Sequence, residues 1–288
     1  MNKDRRQQAL MAAKKAYEAR KIANLPLDGP CCVYDLVENA GVEIRFSDLP
    51  SMEGIYYPAK PAIIISSLRP SGRQAFTCAH EFGHHVFGHG EQFDELLEER
   101  ESTRKYDPKE FDADCFAGAL LMPKTAVLKA LSDRDLRPAT VSPDDLYAIS
   151  SWFGVGYLTL IHHMCRVLDI LPTDHAKKLE HVRLPTIRQS LLGFQSSAHL
   201  AVADAHWSGR PIDAQVSDLI LLPPDVVIEG ECIREFRRDS KKVIASAERP
   251  GIGRVLRPGS KWASYVRVSK HQFVGLARFR HLEETDDE

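Results

Sequence analysis

Within the run Thr77-Cys78-Ala79-His80-Glu81-Phe82-Gly83-His84-His85, two histidines stand four residues apart, with a glutamate directly after the first. On a helix, residues four apart share a face, so the imidazoles of His80 and His84 can close on one metal ion. Glu81 is turned about 100° around the axis, where its carboxylate can reach a water held by that metal. Zinc lowers the pKa of such a water to about 7, and a carboxylate is a suitable base for its proton. The residue types and spacing therefore point to zinc-dependent hydrolysis, with Zn2+ as cofactor, His80 and His84 as ligands and Glu81 as general base.

Catalytic zinc takes three protein ligands and keeps one open position. A three-histidine version of the motif would need glycine at 87 and histidine at 90, where this chain has Phe87 and Gly90. His85 points away from His84, and His89 lies past the expected helix end at Gly88; both read as solvent-facing or capping residues. A third ligand is offered by Lys109-Glu110-Phe111-Asp112-Ala113-Asp114-Cys115-Phe116-Ala117-Gly118-Ala119-Leu120-Leu121-Met122-Pro123. Its apolar residues recur at helical spacing and Pro123 stops the run. Glu110 and Asp114, four apart, share a face, so Glu110 can ligate while Asp114 orients a ligating histidine. Asp112 reads as a solvated charge.

Elements must hold these groups in place. Arg69-Pro70-Ser71-Gly72-Arg73-Gln74 opens the first helix, with Ser71 as N-cap and Gln74 completing a capping box. Ala75, Phe76, Ala79, Gly83 and Val86 then supply a buried face. Upstream, charged amphipathic and shorter helices are expected over 4–22 and 31–40, and a strand over 42–46. A hairpin follows over 54–57 and 62–66. An extended substrate could add to the edge of the strand before the motif helix. Tyr56 and Tyr57 are possible oxyanion donors, against their plainer reading as strand aromatics.

The two metal segments resemble the ImmA/IrrE family of zinc metallopeptidases. The resemblance is carried by Arg69-Pro70, by Phe76-Thr77-x-Ala79-His80-Glu81-Phe82-Gly83-His84, and by Glu110-x-x-Ala113-Asp114-x-x-Ala117-x-x-Leu120-Leu121-Met122-Pro123. The family often has Asn where Asp114 stands, a departure that keeps a hydrogen-bonding side chain. The resemblance covers roughly residues 5–170. It implies a gluzincin-like fold with His80, His84 and Glu110 as ligands and Glu81 as base. It also implies a substrate class, helix-turn-helix transcriptional repressors cleaved to derepress stress-response or mobile-element genes.

At 288 residues the chain can hold two domains. A formal net charge of −2 exerts no global pull toward nucleic acid or a membrane surface. No apolar run approaches the roughly 18 residues of a membrane span, and the polar N-terminus is no secretory signal. A cytoplasmic protein with no membrane partner is expected. The six cysteines (31, 32, 78, 115, 165 and 232) show no metal or disulfide spacing and read as reduced, mostly buried thiols.

Glu91 to Glu101 carries six acidic residues, read as a solvated helix or loop rather than as a rim for a basic partner. Helices are expected at 123–132, 143–152 and 157–170, the last two with a helix-turn-helix-like outline but few basic residues for reading DNA. Past Pro172 come a connecting helix over 173–190 and then short strands at 218–222, 226–228, 242–247, 263–268 and 273–279. The expected fold is therefore α+β. A zinc peptidase domain with its trailing helix pair occupies 1–172, and a β-rich α+β regulatory or partner-binding domain 173–288. Between Pro250 and His281 seven Lys/Arg and no Asp/Glu alternate with Trp262, Tyr265, Phe273 and Phe279. That pattern suits an ordinary sheet with a charged outer face, or an acidic ligand or single-stranded nucleic acid. Two readings compete: a zinc endopeptidase with a protein substrate, and a regulatory protein using the zinc fold as a scaffold beside a basic nucleic-acid or partner surface.

Overall fold

The computed structural model describes residues 3–90, 92–95 and 106–282. It packs as two units: 1–127 together with 274–277, and 128–273 together with 278–288. This division falls well before the boundary expected after 172, and it places the helix pair near 143–167 in the second unit.

In the first unit, alternation sets the strands and apolar periodicity the helices. Ile44 and Phe46 are buried on β1 (Glu43–Ser47) between exposed neighbours. β2 (Met52–Tyr57) and β3 (Ala62–Ser66) form the expected antiparallel hairpin, and β1 runs parallel to β3. The sheet is completed by β4 (Gln92–Glu95) beside β2, and by a two-residue strand (Gly275–Leu276) beside β1. The strand before the motif helix is therefore central, hydrogen-bonded on both sides. Among the described residues it offers no open edge to a substrate, in contrast to the expectation from sequence. The acidic stretch 91–101 is described only at 92–95; the rest of that expectation lies outside the described residues.

Helices α1 (Lys3–Ile22), α2 (Val33–Asn39), α3 (Ser71–Phe87) and α4 (Pro108–Leu121) pack with this sheet or with one another. The start of α3 differs from the capping-box expectation. Pro70 is the N-cap, with no side-chain cap, and Gln74 instead donates to the carbonyls of Ser66 and Ser67 at the end of β3. The Gln74 amide thus closes the strand-to-helix turn, a stronger geometric demand than reaching back to Ser71. α4 starts as its sequence suggests, with Asp107 accepting from Lys109 N–H at 2.8 Å. Close approach of α3 and α4 depends on Gly83, since a Cβ there would lie 3.1 Å from the Cα of Ala113. Arg20, fully buried, donates to the carbonyls of Pro26, Gly29 and Leu120 and so ties α1 to the end of α4. Residues 108–132 are long and apolar enough for a membrane span by composition, but 61% of their most apolar 18-residue window is buried and Met122–Pro123 divides the stretch into α4 and α5 (Lys124–Ser132).

The second unit is β-rich α+β. α6 (Pro143–Phe153) is capped by Ser142, which accepts from Asp145 N–H, and ends at Gly154 in the left-handed region. α7 (Tyr157–His162) is short and continues as a π turn over His163–Val167. The single helix expected over 173–190 is two, α8 (Thr173–Glu180) and α9 (Leu184–Leu192), because Pro185 can only start a helix. Two four-stranded sheets follow. One runs β5 (Leu200–Val202), β7 (Leu219–Leu222), β10 (Val243–Ala247), β9 (Ile233–Arg238); the other runs β6 (Ile212–Gln215), β12 (Ala263–Ser269), β11 (Gly251–Leu256), β8 (Val227–Glu229). Of the strand expected at 273–279 only Gly275–Leu276 is extended, and Ala277–Phe279 form a 3-10 turn. Strands β5, β6, β9 and β11 have no counterpart among the expected elements.

Candidate metal centre

Helix α3 carries His80, Glu81 and His84 on its buried length, and α4 brings Glu110 from its first turn. The Nε2 atoms of His80 and His84 are 3.0 Å apart. Glu110 lies 3.4 Å from His80 Nε2 and 3.5 Å from His84 Nε2. One ligand atom from each of the three residues falls within 4.8 Å of the others. Two imidazole nitrogens and one carboxylate oxygen, presented to a common point, form a donor set that suits a divalent ion such as zinc.

Each imidazole is held from behind. His80 Nδ1 lies 2.9 Å from Asp114 Oδ1, and His84 Nδ1 lies 3.0 Å from His89 Nδ1. An imidazole bonded through Nδ1 keeps Nε2 for another partner. His84 is wholly buried, and that burial together with the adjacent His80 imidazole pushes its pKa down to about 4. At neutral pH it is therefore an uncharged lone-pair donor.

Glu81 is fully buried and follows His80 on the helix. Strand β2 passes directly over it: a Cβ on Gly54 would stand 2.8 Å from Glu81 Oε1 and 2.5 Å from Thr77 Cγ2. Glycine at 54 is thus what allows the strand to lie against this carboxylate. Alternation along β2 turns Gly54 and Tyr56 toward α3 and Tyr57 to the other face of the sheet. The Tyr56 hydroxyl meets His85 Nδ1 at 2.8 Å, while burial raises the Tyr56 pKa. His85 is stacked on Phe82, with ring centres 5.7 Å apart, and burial lowers its pKa.

Both histidines read as peripheral from sequence are thus built into the structure, His85 against Tyr56 and His89 against His84. For His89 a signal existed in Gly88-His89. A glycine just past a helix end commonly folds the next residue back onto the last turn. Asp112 is partly buried, and this raises its pKa. None of the six cysteines, all of them among the described residues, is in a disulfide; Cys31, Cys78 and Cys232 are buried and the others half-buried. The Cys115 thiol on α4 is pushed up to about 12 by burial and by Asp114 and Asp112. At neutral pH it is therefore a thiol rather than a thiolate.

Residues 37–164 match the model of the IrrE N-terminal-like domain, peptidase M78. Over these residues the chain carries a domain similar to those of the ImmA/IrrE family. A curated relative is the radiation response metalloprotease IrrE of Deinococcus radiodurans, 25% identical over 212 residues, which cover 70% of this chain. The match spans 63% of that protein's length. Among solved structures, a Mycobacterium tuberculosis transcriptional regulator aligns over 55% of this chain and 46% of its own at 17% identity, with a TM-score of 0.34. The family is metallopeptidase-like and implies a metal ion, and the His80–His84–Glu110 group has the ligand types to hold one.

Proposed function

We propose that this chain is a zinc-dependent endopeptidase that cuts a helix-turn-helix transcriptional repressor and so derepresses stress-response or mobile-element genes. The observation that carries the catalytic part is the convergence of His80, His84 and Glu110 on one point beside the buried Glu81. The substrate class is supported by the likeness to the ImmA/IrrE family, and the stress-response setting by the likeness to the radiation response metalloprotease of Deinococcus radiodurans. In this reading residues 173–288 regulate the peptidase or bind a partner.

His80, His84 and Glu110 would hold the metal, and Asp114 would fix His80. A zinc ion bound there would act as a Lewis acid on the scissile carbonyl and would acidify the attacking water. Glu81 takes the proton from that water as its oxygen adds to the carbonyl carbon. When the carbon–nitrogen bond breaks, Glu81 passes the proton to the leaving amine.

The test is incubation of the purified chain and Zn2+ with a helix-turn-helix repressor encoded beside it. A single cut, lost on chelation and restored by Zn2+, is the expected result. An uncut repressor in the presence of stoichiometric bound Zn2+ would remove the substrate assignment.

A further inference from the structure

Helix α3 ends at Gly88, whose φ of 67° lies in the left-handed region that glycine enters without strain. The chain doubles back in the pattern that commonly closes helices, with Gly88 N–H on the His85 carbonyl and His89 N–H on the His84 carbonyl at 3.0 Å. His89 consequently meets His84 edge to face, ring centres 5.1 Å apart and Nδ1 atoms 3.0 Å apart. Its own ring stacks on Phe87, with centres 5.2 Å apart and 22° between planes.

A neutral imidazole has one N–H and one lone pair, so an Nδ1···Nδ1 contact places one proton between two rings. His84 turns its Nε2 toward His80 and Glu110. If that Nε2 gives its lone pair to a metal, His84 Nδ1 must carry the hydrogen. We propose that His89 is a positioning residue for His84: its Nδ1 accepts the His84 Nδ1 hydrogen and holds His84 in the tautomer whose Nε2 lone pair faces the ligand group. This rests on the metal-site reading given above. The two ligand histidines are then backed by different chemistry, a carboxylate behind His80 and an imidazole behind His84. His89 itself is no ligand, since the Nδ1 atom of His84 that it meets is on the far side of that ring from Nε2.

The test uses the full chain, stripped of metal and titrated with Zn2+ against a chromophoric chelator. His89→Phe keeps a ring beside Phe87 and removes the acceptor, whereas His89→Asn offers an acceptor oxygen again. We expect His89→Phe to weaken Zn2+ binding about 10–100-fold and His89→Asn to recover part of that loss. Unchanged affinity in His89→Phe overturns the proposal. His84→Ala separates the two claims. Unchanged binding there sinks the metal-site reading itself, while a loss there with none in His89→Phe sinks only the role of His89. If His89→Phe does not fold, long-range proton–nitrogen spectra of the unsubstituted, Zn2+-loaded chain decide the matter. They should show hydrogen on His84 Nδ1 and none on His89 Nδ1; hydrogen on His89 Nδ1 overturns the proposal.

Discussion

Among the described residues, one buried cluster of ionisable side chains in each unit makes an instructive pair, because the two are built on opposite principles. In the second unit Asp213 is surrounded by guanidinium groups. Arg267 pairs with both its oxygens at 2.7 and 3.0 Å, Arg210 lies at 3.3 Å, and Arg280 and His281 approach within 4.0 and 3.7 Å. Burial alone would raise the Asp213 pKa, but Arg267, Arg280 and Arg210 hold it well below the usual carboxylate range. In the first unit, His80, His84 and Glu110 all turn lone pairs toward a common point. A cluster whose members attract one another is complete as it stands and serves the fold. A cluster of convergent acceptors gains most from a cation, and only that kind reads as a metal centre.

The sharpest way to break this contrast is Glu81→Gln. Removal of the base should lower peptide cleavage about 100- to 10,000-fold while leaving bound zinc, measured by elemental analysis, unchanged. Cleavage at the normal rate would remove Glu81 from the chemistry. Next in size, Asp213→Asn leaves the guanidinium groups without their carboxylate and should cost about 3–5 kcal/mol of stability in urea unfolding, with no change in zinc affinity. If zinc binding fell in parallel, the two clusters would not be separate in function.

Acidification should act on the second unit in the same direction. Burial and the adjacent Arg280 push His281 down to about 4 from 6.5. The unfolded chain therefore takes up this proton first, and stability falls as pH drops from about 6.5 toward 4. The loss is on the order of 3 kcal/mol at about 1.4 kcal/mol per pH unit. Asp213, with its depressed pKa, adds a further loss as pH falls below the usual carboxylate range. His281→Phe should flatten the first part of that profile in pH-dependent urea unfolding, and an unaltered slope would discount His281. The smallest expected effect is Gly54→Ala. Its methyl would press on Thr77 and Glu81 and should cost about 1–3 kcal/mol, with cleavage falling more than zinc affinity.

The residues of the convergent cluster were legible because their positions are local. His80, Glu81 and His84 lie within five residues, Glu110 and Asp114 lie within five, and helical spacing alone predicts shared faces. Gly54 was not legible as part of the site, since nothing near it in the chain indicates that β2 crosses Glu81. Arg20, on a helix read only as charged and amphipathic, is buried on three carbonyls for the same reason. The basic stretch 250–281 shows the reverse case. Read alone it has no acids, yet Arg254, Arg257 and Arg267 pair with Glu229, Asp225 and Asp213. Local charge counting cannot see partners that arrive from another strand. The short strands β5, β6, β9 and β11 escaped for a similar reason, because a strand of three to six residues takes its stability from neighbours rather than from its own pattern.

By itself, then, the sequence determined the ligand-type side chains, the glutamate beside them and the helices that carry them, because a helix converts spacing along the chain directly into direction in space. Tertiary structure alone decided that α4 approaches α3 at Gly83 closely enough to bring Glu110 to the histidines. It also decided that β2 lies over Glu81 and that His89 folds back onto His84. Those are contacts between elements, fixed by packing and by the turn at Gly88, and no spacing along the chain encodes them.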